Sequence, residues 1–164
     1  MWKASRCLAY LVSLAGFATA IQAAEVTSNL SVTITITNEC TAGATSPVNF
    51  GSHGVLNANF DATGNISVTC TTSAPYTIGL GAGTGSGATL AARKMTGPGS
   101  ATVTYQLYRD SGRSLNWGDL ASGDTLTGTG TGSAQTIDVY GRVASQTTPP
   151  AGTYDDTVLV TVSY

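Results

Sequence analysis

Apolar and polar residues alternate one for one in several short stretches of this chain. The clearest runs from Leu30 to Thr37, with Leu30, Val32, Ile34 and Ile36 on one side and Ser31, Thr33, Thr35 and Thr37 on the other. A period of two belongs to a β-strand, whose successive side chains point to opposite faces. Asn65 to Cys70 repeats the pattern, and Tyr76 to Leu80, Ala101 to Arg109, Thr136 to Val143 and Thr157 to Tyr164 are further strand candidates. Turn-forming stretches separate them: Gly81 to Gly87, Gly97-Pro98-Gly99, Ser111-Gly112, Gly123-Asp124, Gly128 to Ser133 and Pro149 to Gly152. No amphipathic run of helical length competes with these strands. Six or seven short strands at such spacing predict one all-β domain, a sandwich or small barrel.

The start of the chain breaks the pattern. Lys3 and Arg6 precede an apolar run from Leu8 to Ala18, and small residues follow at Ala18-Thr19-Ala20 and Ala23-Ala24. This is the layout of a secretory signal peptide, and the run is too short to span a bilayer. Residues 1–23 are therefore expected to be removed, with Ala20 as the alternative cleavage point, and the product is expected to be secreted. Cys7 leaves with this segment. Cys40 and Cys70 remain as an even pair in an oxidising compartment, where a disulfide is the default reading. Closing a loop of about 30 residues stabilises by roughly 3–4 kcal/mol in the chain-entropy model.

Composition narrows the function. The 164 residues are 41% hydrophobic but only 10% charged, with net charge −2, or −4 once Lys3 and Arg6 are gone. Thr is the commonest residue, at 27, and a chain rich in Thr and Gly but poor in Lys and Glu favours strands over helices. Seven basic residues against nine acidic ones exclude a phosphate-tracking nucleic-acid binder. A single histidine, His53, with two cysteines cannot build a four-ligand zinc site, so no metal is expected. No serine sits in a GxSxG elbow, and the glycine run 81–87 lacks both the GxGxxG spacing and a P-loop lysine. Asp155 and Asp156 are neighbours, so on a strand they face opposite ways and make no acid–base pair. The expectation is a non-enzyme without a cofactor.

Several motifs occur in one order: TNECTAG around Cys40, NFG at Asn49 to Gly51, GNISVTC at Gly64 to Cys70, and YQLYRD at Tyr105 to Asp110 followed by Trp117-Gly118. VYGRV at Val139 to Val143 and the closing AGTYDDTVLVTVSY complete the series. Together they resemble the spore coat protein U family, which includes subunits of archaic chaperone–usher pili, and the chain is most similar to their major, Csu-type pilin. The resemblance covers nearly all of residues 25–164. It implies an immunoglobulin-like β-sandwich, incomplete by its last strand and completed by a donor strand from a neighbouring subunit. It also implies delivery by a periplasmic chaperone to an outer-membrane usher, and display in a cell-surface fimbria that supports adhesion and biofilm formation.

On this reading residues 24–38 are the N-terminal donor segment and residues 39–164 the sandwich domain. Leu30, Val32, Ile34 and Ile36 would enter the neighbour's core, for roughly 6–12 kcal/mol at about 1.5–3 each, an upper bound before ordering costs. Only Thr37, Asn38 and Glu39 separate Ile36 from Cys40. That connection reaches roughly 14 Å, which favours handing the segment to another copy. A second reading makes Leu30 to Thr37 the first edge strand of a closed sandwich. At the other end, Val158, Val160, Val162 and Tyr164 alternate; by resemblance this strand borders the groove and is the edge a chaperone pairs with. Two other functions compete: a secreted spore-coat or matrix protein of the same family, and a carbohydrate-binding adhesin module using Trp117, Tyr105, Tyr108, Tyr140 and Tyr154 as a stacking surface.

Overall fold

The computed structural model describes residues 22–164. The chain divides into two units, Met1–Ile34 and Thr35–Tyr164. In the first, residues 22–34 form no helix or strand, and Val26, Leu30, Val32 and Ile34 are 83–96% exposed. The signal peptide expected over residues 1–23 lies outside the described residues except for its last two positions.

The second unit is built of antiparallel strands. A five-stranded sheet contains β1 (Cys40–Ser46), β2 (Phe60–Cys70), β4 (Arg93–Thr96), β5 (Thr102–Tyr108) and β7 (Gln135–Val143). A three-stranded sheet contains β3 (Pro75–Leu80), β6 (Leu126–Thr129) and β8 (Val160–Ser163). The spatial orders are β1-β2-β7-β5-β4 and β6-β3-β8. Their inner faces share one core: Ile66, Val68 and Cys70 from β2, Val139 and Val143 from β7, Val103, Tyr105 and Leu107 from β5, and Tyr76, Ile78 and Leu80 from β3. Alternation along each strand delivers these side chains to one face.

Strands β3, β5 and β7 lie within a residue of where alternation predicts them. Strand β2 begins five residues earlier than expected, because its inward positions Ala62 and Gly64 are too small to advertise the period. Strands β1, β4 and β6 went unpredicted: CTAGATS, RKMT and LTGT hold few large apolar residues and owe their conformation to the neighbours they pair with. Among the described residues, 30–37 form no strand, and β1 and β4 are the two edge strands of the five-stranded sheet.

Two buried polar side chains tie the loops to the core. Trp117, fully buried, donates its indole N–H to Ile78 O at 3.0 Å. Arg93, also 0% exposed, donates to the carbonyls of Gly81, Leu80, Leu90 and Trp117 at 2.6–2.9 Å. Burial lowers the affinity of this guanidinium for its proton below the ordinary arginine value. With four carbonyls as partners its donors are well satisfied, and the 80–92 and 117 loops are held to one point.

Candidate functional site

The three-stranded sheet ends in an open edge. Strand β8 pairs with β3 through Leu80↔Val160, Gly79↔Thr161, Ile78↔Val162 and Thr77↔Ser163, and among the described residues nothing pairs with its other side. Val158, Val160 and Val162 are half-buried and packed on the core, while Leu159 points outward at 72% exposure and Tyr164 is also exposed. Of the four residues predicted for the groove-edge strand, Val160 and Val162 lie in β8; Val158 precedes it and Tyr164 follows it. Strand β1, one edge of the other sheet, approaches β8.

Beside the chain that leads into β8 a cleft opens over the core. Phe60, Met95, Val103 and Val143 on the inner face of the five-stranded sheet form its floor, and its volume is about 720 Å³. Its walls are irregular chain, residues 47–54 on one side and 148–155 on the other. The first wall crosses directly over the sheet, and two glycines permit the crossing. A Cβ on Gly64 would lie 2.6 Å from Ser46 O, and one on Gly141 would lie 2.6 Å from Val48 Cγ1 and 2.9 Å from the Phe50 ring. Phe50 also meets Tyr105 edge-on at 6.3 Å. The motifs NFG, GNISVTC and VYGRV therefore converge at one crossing.

The approach to β8 is fastened by Asp156. Its carboxylate accepts from the Tyr105 hydroxyl at 2.7 Å, from the Thr84 amide and hydroxyl at 2.7 and 2.9 Å, and from the Thr157 amide at 2.7 Å. Burial works to raise this carboxyl, but the four hydrogen bonds outweigh it and hold it below its ordinary value. Burial and the bond to Asp156 push the Tyr105 hydroxyl well above its own. The preceding residue, Asp155, bridges to Thr96 at the end of β4. Asp156 thus anchors the chain through its side chain and Asp155 through its backbone, which adjacency alone did not reveal.

At the other end of the domain the root of the N-terminal segment is fixed. Cys40 and Cys70 are joined by the expected disulfide, between paired residues of β1 and β2. One step outward, Thr71 N–H donates to Glu39 O at 2.9 Å, and Glu39 N–H donates to Thr71 Oγ1 at 3.0 Å. From Ile36 back to Leu30 the apolar side chains predicted for the donor row stand in solvent, Ile36 at 71% exposure. The aromatic residues considered for carbohydrate stacking do not share an exposed face: Trp117, Tyr105 and Tyr108 are buried, and Tyr140 and Tyr154 are half-buried.

Comparison with known proteins gives this arrangement its relatives. Protein U of Myxococcus xanthus is 34% identical over an alignment 166 positions long, gaps included, which covers 93% of this chain and 92% of that protein. Among solved structures, the chain is similar to one in the CsuC–CsuE chaperone–tip adhesion subunit pre-assembly complex from the archaic chaperone-usher Csu pili of Acinetobacter baumannii. The TM-score is 0.57 at 25% identity, over 79% of this chain and 40% of that one, so the present chain spans well under half of its solved relative. The model of the Spore Coat Protein U domain matches residues 26–161, from the exposed apolar row into the start of β8, and the chain belongs to that family.

Proposed function

We propose that this protein is a structural subunit of a secreted surface fimbria that polymerises by donor-strand exchange. One pairing carries the reading: a sandwich with an open edge and a cleft over its core, in a chain that also bears an exposed row of alternating apolar residues. Four side chains as apolar as Leu30, Val32, Ile34 and Ile36 are a liability in water, and so is an unpaired strand edge. Strand addition removes both at once, since main-chain hydrogen bonds satisfy the edge and alternate side chains enter the core. Residues 24–38 are the donor, β8 with Val158 to Tyr164 borders the acceptor groove, and residues 39–164 are the receiving domain. The partners are other copies of this chain or related subunits, a periplasmic chaperone that guards the β8 edge, and an outer-membrane usher. The Csu complex, a chaperone bound to a pilus subunit, supports that assignment. The fibre is extracellular and serves adhesion and biofilm formation.

The test is thermal unfolding of oxidised residues 38–164 with and without a peptide of residues 24–37. Peptide at a hundred times its Kd stabilises by about 2.7 kcal/mol, which raises the Tm by roughly 10 °C for a domain of this size. A fragment that melts cooperatively at high temperature and ignores the peptide overturns the proposal. The description of the family itself favours a second reading, a secreted spore-coat or matrix protein assembled without an usher. Chaperone and usher genes beside the coding gene favour the fimbria, and their absence favours the coat.

A further inference from the structure

The geometry points to Thr71 as the residue that sets the direction in which the N-terminal segment leaves its own domain; this rests on the donor-strand reading above. The Thr71 hydroxyl works from both sides. It accepts from Glu39 N–H at 3.0 Å and donates to Thr37 O at 3.2 Å, with Glu39 O sharing that proton at 3.4 Å, while Thr71 N–H donates to Glu39 O at 2.9 Å. Four hydrogen bonds to one residue, two of them sharing the hydroxyl proton, therefore bracket residues 37–39, directly beside the Cys40–Cys70 disulfide. Asn38 alone of the three residues linking Ile36 to Cys40 lies between the bracketed groups.

The base of this clamp is itself rigid. Thr71 opens the turn from β2 to β3, where Ser73 takes a positive φ of 66° and donates its N–H to Gly130 O at 2.8 Å. Gly130 N–H returns to Ala74 O at 2.7 Å, and Gly132 N–H reaches Cys70 O at 3.0 Å. The two turns interlock so closely that a Cβ on Gly130 would lie 2.2 Å from Thr71 O. The hydroxyl thus joins the departing chain to a fixed frame of two turns and a disulfide. Stability of the domain does not require this, because the core is made elsewhere. Its consequence is directional: a donor whose root cannot swivel holds successive subunits at one angle, and a loosened root makes the joint a flexible linker.

The test uses the full mature chain with Thr71→Val, which keeps the branched shape and the backbone bond but removes the hydroxyl, and Thr71→Ser, which restores it. Peptide 24–37 is added so that the chain is measured with its groove filled. Amide order parameters at Thr37, Asn38 and Glu39 are expected to fall from about 0.85 to below about 0.6 in T71V and to stay high in T71S. The melting temperature changes little in either variant. In fibres, electron micrographs are expected to show a spread of inter-subunit angles about two-fold or more wider for T71V than for wild type, with T71S restoring the narrow spread. Unchanged order parameters in T71V overturn the clamp, and an unchanged angular spread overturns its role in the fibre. If wild-type chain forms no fibres and ignores the peptide, the donor-strand reading fails, while the order parameters still decide whether Thr71 holds residues 37–39.

Discussion

Gly141 and Asp156 are single positions where a small change has a large, calculable effect. A side chain on Gly141 has no room, because Val48 and Phe50 already fill the inner face there. Gly141→Val is expected to cost about 1–3 kcal/mol, as overpacking does, and a denaturant titration of the isolated domain reads it. Asp156→Ala leaves the buried Tyr105 hydroxyl and the Thr84 amide without their acceptor, for about 1–3 kcal/mol. Asp156 also makes stability depend on pH. Its folded carboxyl stays ionised below the pH at which the unfolded chain takes up the proton, so the stabilisation is complete above about pH 4 and is lost as the pH falls through the lowered folded value. Asp61, hydrogen-bonded by Arg142, and Asp110, bonded by the Leu115 amide, shift in the same direction. Asp156→Asn is therefore expected to reduce, not abolish, the acid slope of the Tm between pH 5 and 3, about the window in which carboxylates titrate.

Strands were legible in the sequence where large apolar residues alternate, and illegible where partners or glycines do the work. Ile66 and Val68 announce β2, Ile78 and Leu80 announce β3, and Val103, Tyr105 and Leu107 announce β5. Residues 40–46 offer only a cysteine and small residues, and they become β1 because β2 and the disulfide hold them. The cleft was invisible for a similar reason: it is made by two irregular segments distant in sequence, 47–54 and 148–155. Hydrogen bonding to Thr71 and Asp156 joins residues 32 and 72 positions away, which no local pattern encodes. The proposed donor segment is the reverse case, a strand pattern with no strand. Its period is that of a buried edge, yet among the described residues nothing pairs with it. Replacing Ile34 by Asp is therefore expected to leave the melting of the unassembled domain within about 0.5 kcal/mol of wild type, as exposed sites do. The same substitution in peptide 24–37 is expected to erase the rise in Tm. A parallel loss of domain stability would mean that the segment completes its own sandwich.

At the scale of the whole molecule, the proposed donor at one end and acceptor groove elsewhere would make a heterologous contact, and such contacts build open chains unless the rotation closes. The same asymmetry makes growth easy to poison. A variant without residues 24–36 keeps the disulfide, Glu39 and Thr71, and on the proposed reading it keeps the acceptor groove, which a neighbour's donor completes. It can receive a donor but has none to give, and no further subunit can be completed by it. Mixed with intact chain, it is expected to cap fibres, so that mean length in electron micrographs falls as its share rises while the number of fibres does not. The full-length chain with Ile34→Asp is expected to behave as a weaker cap, since its segment is present but one of its four apolar side chains is charged. If the fibres are instead held together by lateral contacts between outer faces, the truncated chain enters them freely and their length does not depend on its share. Fibre length against mixing ratio therefore separates assembly through the groove from assembly through the surface.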